Sequence, residues 1–381
     1  MSIVHIALVG GQTMPVYLAI SESDADEFIL VHSAKTKNAA LTLKTDLTKL
    51  VGRPVELVEF EPNDCFGAID SFDSLLKRFE NCQVEVNISS GTKPWSIAVA
   101  KLSGKYQNLE LIYVDQNSHI YDYSHNDSHE IEPLSIENIF MFNQTVVQSY
   151  VNFNDYTADD LRQLPLIEDI WRHNKRLFNT LTIPSDEHNE AALKHDARGR
   201  FVDSRTGSVM TWQRHEGGGQ SVNICLVDNW GPHNWSFVSP HSIDMVGFSG
   251  WFEYKVASLL SSWPQCREVW MNVVFPYNNE QPKNEIDVIV NTGRKLLFVE
   301  CKTRIFSNTD IDKFTSAVKN YGGLGAKAIF ITLENMASQA IEKCETNKIA
   351  HYSLWDERNC QRGKKALFKI LNDIVSENNV K

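Results

Sequence analysis

Glu300 and Lys302 stand two residues apart in Leu296-Leu297-Phe298-Val299-Glu300-Cys301-Lys302, a run that reads as a β-strand, so both side chains leave the same face. A second strand-like run, Asn284-Glu285-Ile286-Asp287-Val288-Ile289-Val290, precedes it, and Thr292-Gly293-Arg294-Lys295 joins the two. Gly-Arg is the composition of a two-residue type II′ hairpin loop. If Thr292 pairs with Lys295, counting back along both strands sets Asp287 opposite Glu300. One sheet face then carries Asp287, Glu300 and Lys302. Facing carboxylates repel and are costly to bury, and a hard divalent cation, Mn2+ or Mg2+, is the natural compensator. Such a centre polarises a scissile phosphate and acidifies water, while an ammonium beside it neutralises charge growing on the phosphorane. Glu253, in Gly250-Trp251-Phe252-Glu253-Tyr254-Lys255-Val256, lies one turn into a helical stretch and is the fourth candidate. The metal set expected is therefore Asp287, Glu300 and Glu253. The competing reading is a solvated cross-strand ion pair. It fits poorly with residues 296–299, which are apolar on both faces as in a buried strand. Whether burial lowers the pKa of Lys302 or the carboxylates raise it stays open at this level.

The elements that must position these groups follow from hydrophobic spacing. A helix is expected at 250–261, strands at 268–274, 286–290 and 295–301, then a helix at 310–321, a strand at 327–332, and helices at 334–344 and 363–376. Earlier, strand runs at 5–9, 27–31, 54–60, 84–88 and 109–114 alternate with helical spacing at 16–21, 37–51, 69–79 and 95–105. A short hairpin near 110–123 closes this part. Such alternation predicts an α/β fold with a Rossmann-like, doubly wound parallel sheet. Residues 145–240 are less regular. A helix is expected over 156–181, with Thr157 capping the first-turn acids Asp159 and Asp160. The polar stretch 183–219 carries Lys194, Arg198, Arg200, Arg205 and Arg214 and reads as part of a linking module with a mobile or ligand-facing loop. The domains expected are 1–145, a linking module at 146–240 that could be winged-helix-like, and an α/β domain at 241–381.

Two loops at strand ends are unusual: Gly10-Gly11-Gln12-Thr13-Met14-Pro15 and Asn87-Ile88-Ser89-Ser90-Gly91-Thr92-Lys93-Pro94. Each is rich in Gly and hydroxyl residues and ends on a Pro suited to a first helical turn. Free N–H groups at helix starts favour phosphate, and the carboxyl edge of a doubly wound sheet is where such ligands bind. Each loop alone could be a helix cap with turn-forming Gly; the matched pair favours a ligand site. A dinucleotide oxidoreductase is disfavoured, since G-x-G-x-x-G is absent and Val31-His32-Ser33 follows the second strand where a ribose-binding acid belongs.

Composition narrows the classes further. The chain has 381 residues, enough for two or three domains, and a formal net charge of −11. An acidic total disfavours nucleic acid only weakly, because metal sites add carboxylates and a local basic groove can coexist with them. Seven scattered cysteines without a C-x-x-C pair suggest reduced thiols in a cytoplasmic protein. The N-terminus lacks signal-peptide character, and no window is apolar enough for a membrane helix. His173, His188, His195 and His215 match no metal-ligand spacing and read as solvated or hydrogen-bonded. Trp171, Trp212, Trp230, Trp235 and Trp251 could stack on bases but more often belong to cores.

Glu253 on a helix, then Asp287 and Glu300-Cys301-Lys302 on a hairpin, resembles the PD-(D/E)xK nuclease superfamily over roughly 247–371. Ile286-Asp287 replaces the usual Pro-Asp, which leaves the acid in place, and the helix at 313–321 fits the same core. The two Gly/hydroxyl loops, with Asn-x-Ser-Ser-Gly-Thr-Lys, resemble the CARF sensor domain of CRISPR-associated proteins. Together they look like the CRISPR ancillary nucleases. That resemblance implies a homodimer, cyclic tetra-adenylate as activator across two sensor domains, and metal-dependent cleavage of DNA, RNA or both. It carries ligand binding onto Gly11, Gln12, Thr13, Ser90, Gly91, Thr92 and Lys93, with Lys35 and Thr36 as further candidates. Two rivals remain at this level. One is a ligand-sensing DNA-binding regulator with an inactive nuclease-like domain; in the other, the sensor domain itself hydrolyses the cyclic ligand.

Overall fold

Short β-branched runs followed by helix-forming stretches generate, in residues 1–146, the succession β1 (Ile3–Leu8), α1 (Met14–Glu22), β2 (Glu27–His32), α2 (Lys37–Val51), β3 (Val55–Glu59), α3 (Gly67–Lys77), β4 (Gln83–Asn87), α4 (Lys93–Ser103) and β5 (Leu109–Val114). The hairpin β6 (His119–Asp122) and β7 (Asp127–Glu130) and the helix α5 (Ile136–Phe142) complete it. In this computed structural model the described residues are 2–115, 119–276, 284–293, 295–303, 308–323, 325–354 and 360–376. They fall into two compact units, 1–146 and 147–381.

The first unit is a seven-stranded sheet in the order β3-β2-β1-β4-β5-β6-β7, parallel from β3 to β5 and antiparallel at the β6 and β7 edge. Strand order reverses between β1 and β4, so the loops that follow these two neighbours open side by side at the carboxyl edge. Buried Ile6, Leu8, Val84, Val86 and Trp95 pack one face of the sheet; Ala7, Val9, Tyr17, Phe28 and Leu30 pack the other. Strands buried on both faces need this two-sided cover. The strand β7, fully exposed, extends the expected closing hairpin by one strand.

The second unit runs β8 (Ser149–Asn152), α6 (Ala158–His173), α7 (Lys175–Thr182), α8 (Glu187–His195), β9 (Arg198–Val202), β10 (Val209–Arg214), β11 (Gln220–Asp228), β12 (Gly231–Ser239) and α9 (Ser242–Val246). It continues through α10 (Gly250–Ser261), β13 (Glu268–Phe275), β14 (Asn284–Asn291), β15 (Leu296–Lys302), α11 (Asn308–Tyr321), β16 (Lys327–Thr332), α12 (Ser338–Thr346), β17 (Ala350–Ser353) and α13 (Cys360–Ser376). Its main sheet has the order β17-β16-β15-β14-β13-β8, and β9 to β12 form a separate antiparallel meander.

The single helix expected over 156–181 is divided. Asn174, outside the helical region at φ −153°, ends α6, and its side chain accepts from Leu177 N to cap α7. The polar stretch 183–219 is likewise not one loop. It supplies α8, β9 and β10, because Trp212 and Met210 alternate inward with polar residues outward. One continuous core joins this middle region to the later elements: Ile167, Trp171, Phe178, Met210 and Val222 are buried with Trp251, Val288, Val299 and Ile331. Buried Asp160 adds a polar tie, accepting from His241 N and Thr157 N at 3.0 and 2.7 Å and lying 3.0 Å from His241 Nδ1.

Candidate active site and ligand loops

The hairpin that carries the carboxylates has the register expected from its loop. Val288 faces Val299, Val290 faces Leu297, and Asn291 faces Leu296. Thr292 N donates to Lys295 O at 3.1 Å, and Gly293 takes φ +88°; Arg294 lies outside the described residues. The ladder closes at Val288 and Val299, one step before Asp287 and Glu300. Beyond it, Asp287 Oδ2 accepts the backbone N–H of Cys301 at 2.7 Å. A side chain has taken over as acceptor for β15, and this fixes the carboxylate over the strand end.

Lys302 Nζ lies 2.8 Å from Glu300 Oε1 and 3.6 Å from Asp287 Oδ2, so three of the four candidate groups meet. Glu253 comes from α10. Trp251, Phe252, Tyr254, Val256, Ala257 and Leu260 anchor that helix in the core, each large side chain contributing about 1.5–3 kcal/mol. Its start is tightly set: Phe248 and Ser249 adopt φ +56° and +68°, and a Cβ on Gly250 would stand 2.1 Å from Asp244 O. Only glycine permits this approach, which aims the first turn of α10.

Burial, and then the charge of Asp287, push the Glu253 carboxyl well above its usual range, while Lys302 pulls against this. Burial raises Asp287 too, opposed by Lys302 and by the Cys301 N–H. Glu300 is pushed from its usual 4.5 to about 8, by burial first and Asp287 second. For Lys302, burial works against the ammonium, but Asp287 and Glu300 outweigh it and hold its pKa above the usual lysine range. The packed distances to the two carboxylates therefore favour the charged form of Lys302. Glu285, two residues before Asp287 on β14, is raised by burial and by Asp287 and is also felt by Lys194 of α8. Its spacing to Asp287 was the available signal for a further acid on this face. Asp310 of α11 acts on Glu300 in the same sense.

Three acids whose carboxyl pKa values burial pushes up, with one cation beside them, form a donor set suited to a hard divalent ion. Linkage makes this measurable. Without metal the folded protein binds more protons than the unfolded chain between pH 4.5 and about 8, the span of the Glu300 shift. The contribution of this cluster to stability therefore falls as pH rises through that window. A divalent ion held by these acids would have to displace those protons, so the affinity for Mn2+ is expected to rise over the same range. Melting curves from pH 5 to 8.5, in EDTA and in Mn2+, should diverge with increasing pH; parallel curves would refute the coupling.

In the first unit, the loops after β1 and β4 are tied together: Gly10 N donates to Ser90 Oγ at 3.0 Å, and Ser90 Oγ donates to Gln12 O at 2.8 Å. Gly91 has φ +78°, and a Cβ there would meet Leu8 Cβ at 2.7 Å and the Trp95 ring at 3.1 Å. Thr13 is buried and donates to Phe142 O, and Thr92 donates to Pro62 O. Gly11, Gln12 and Lys93 are exposed at the loop surface, and Lys35 is exposed after β2. Thr36 donates to Val9 O and closes a capping box with Ser33.

A second surface lies on the outer side of the meander. Arg198, Arg200, Thr211, Gln213, Ser221 and Asn223 line a cleft of about 460 Å³. Cross-strand pairing sets Arg200 beside Thr211 and Asn223 beyond it, and Arg198 beside Gln213 and Ser221 beyond it.

Residues 4–139 match the family model of the Card1 CARF domain, and residues 245–353 match that of the Card1-like endonuclease domain. No curated protein matches the sequence significantly. Among solved structures, Can2 from Sulfobacillus thermosulfidooxidans, determined in complex with cyclic tetra-adenylate, is similar with TM-score 0.67 and 17% identity, over 98% of this chain and 99% of that one. Protein VC1899 from Vibrio cholerae is similar with TM-score 0.70 and 14% identity, over 97% of this chain and 98% of that one.

Proposed function

From a chain that joins a CARF domain of the Card1 type to a Card1-like endonuclease domain, we propose a nuclease of CRISPR antiviral defence that cyclic tetra-adenylate switches on. The observation that carries the chemistry is the convergence of Asp287, Glu300 and Lys302 at the end of one hairpin. Asp287, Glu300 and Glu253 would hold Mn2+ or Mg2+, and a bound ion would supply Lewis acidity toward the scissile phosphate of DNA or RNA and toward the attacking water. Lys302, already cationic, orients that water and offsets the charge of the pentacovalent phosphorus. Cys301 N–H keeps Asp287 turned toward the site.

The activator assignment draws on the Can2 structure, which contains cyclic tetra-adenylate. Gly11, Gln12, Thr13, Ser90, Gly91, Thr92 and Lys93 form the binding loops. The exposed backbone and Lys93 face the ligand, while the Ser90, Thr13 and Thr92 hydroxyls brace the loops. A ring-shaped activator spans two sensor domains, so the working unit is a homodimer. Among the described residues no helix is long and apolar enough to cross a membrane. Six cysteines there form no disulfide, and reduced thiols of this kind suit a cytoplasmic setting.

Digestion of plasmid and oligonucleotides, with and without cyclic tetra-adenylate, in Mn2+ and in EDTA, tests this reading. Cutting should need both ligand and metal; equal cutting without the ligand removes the gating, and cutting in EDTA removes the metal. The cleft on the meander serves as a nucleic-acid contact, because two arginines flank amide and hydroxyl donors on an otherwise acidic chain. Replacing Arg198 and Arg200 by alanine should weaken duplex binding evenly across sequences. It should also flatten the salt dependence by roughly 0.9 per lost phosphate contact. Fluorescence anisotropy over a salt series measures both, and an unchanged slope would exclude this face.

A further inference from the structure

Imidazole and carboxylate groups also gather outside the endonuclease hairpin. His173 is the last residue of α6, while Asp228 and His233 flank the turn between β11 and β12, where Leu226 faces His233 and Asp228 faces Gly231. Their ligand atoms all lie within 4.8 Å of one another. His173 Nε2 is 3.0 Å from Asp228 Oδ2, and His233 Nε2 is 3.3 Å from Asp228 Oδ1. Tetrahedral Zn2+, with bonds of about 2.0–2.2 Å to nitrogen and oxygen, sets its ligand atoms roughly 3.3–3.5 Å apart. The two imidazole nitrogens each stand within a few tenths of an ångström of that spacing from an oxygen of Asp228, His173 from Oδ2 and His233 from Oδ1.

Hydrogen bonding explains only part of the arrangement. His173 Nε2 bonds the carboxylate. His233 Nε2, though 3.3 Å from its other oxygen, is out of line for a hydrogen bond and is shielded from solvent, so among the described residues its only close polar neighbour there is the Asp228 charge. A shielded imidazole nitrogen without a hydrogen bond is costly unless something claims its lone pair. The carboxylate is also preset, since Trp230 N donates to Asp228 Oδ1 at 2.8 Å. The two imidazole rings lie 4.7 Å apart, and Trp235 stands 6.2 and 6.0 Å from them, walling one side.

We propose that His173, Asp228 and His233 form a Zn2+-class site that clips the end of α6 to the β11–β12 hairpin, with water in the fourth position. Two neutral imidazoles and one carboxylate are the borderline-soft donor set that zinc prefers, in contrast to the oxygen-rich set around Asp287 and Glu300. The site does not depend on the nuclease reading.

Cobalt separates the two centres. Four-coordinate Co2+ on nitrogen and oxygen ligands gives intense visible bands, whereas six-coordinate Co2+ on carboxylates and water is pale. Full-length protein stripped with EDTA and titrated with Co2+ should develop intense bands that saturate at one ion per chain and are erased by Zn2+. The bands should persist in Glu300→Gln and vanish in His173→Ala and His233→Ala. Zn2+ should raise the melting temperature of the wild type by a few degrees but not that of His173→Ala. The His173 side chain is 38% exposed at a helix end, so its replacement leaves the fold intact even if His233→Ala does not. Absence of intense bands in the wild type, their survival in both histidine variants, or their loss in Glu300→Gln would overturn the site.

Discussion

Lys302→Ala should cut nucleic acid about 10²–10³-fold more slowly at saturating Mn2+ while binding the metal at least as tightly as the wild type. The ammonium sits 2.8 Å from Glu300 and 3.6 Å from Asp287, so it neutralises the carboxylates in the resting protein and competes with a cation for them. Removing it takes away a preorganised positive charge needed as the phosphorane forms, yet leaves every oxygen donor in place. Glu300→Gln should behave differently, losing both metal affinity and cutting. Metal titration followed by single-turnover cleavage distinguishes the two variants. A Lys302→Ala enzyme that cuts at the wild-type rate would remove this residue from the chemistry.

Gly91→Val should abolish activation by the cyclic ligand. The position combines φ +78° with a Cβ that would press on Leu8 at 2.7 Å and Trp95 at 3.1 Å. A left-handed conformation costs a non-glycine residue roughly 1–2 kcal/mol, and overpacking adds about 1–3 kcal/mol. The chain relieves this by moving the loop after β4. That movement breaks the Ser90 ties to Gly10 and Gln12 and so spoils both binding loops at once. Calorimetry should register at least a tenfold loss of cyclic tetra-adenylate affinity beside a lowered melting temperature. Gly11→Ala is the control, because nothing lies within 4 Å of a Cβ there and its φ needs no glycine. A stable Gly11→Ala protein that binds less tightly reports ligand contact; full activation of Gly91→Val would show that the loops do not hold the activator.

The placement of Glu300, Lys302 and Asp287 was legible in the sequence because it depends on local rules. A strand alternates its faces, a Gly-containing two-residue loop sets the register, and together these bring Asp287 level with Glu300. The α/β alternation of residues 3–114 and the pairing of the loops after β1 and β4 were open to the same reasoning, since chain connectivity and short links leave few sheet orders. Other features depended on which groups desolvate which. The charge of Lys302 could not be read, because burial and carboxylates push its pKa in opposite directions and only the packed distances decide between them. Nor could the hold of Cys301 N–H on Asp287, which arises where the ladder ends. The stretch 183–219 read as an irregular polar loop, because a meander with one solvated face keeps its apolar residues few and alternating. His173 looked solitary for a related reason: its neighbours Asp228 and His233 reach it through a hairpin turn and a helix end, and no spacing rule spans that gap. Sequence determined what each short segment would present on each face. Tertiary structure decided which faces met, and therefore which charges were stripped of water.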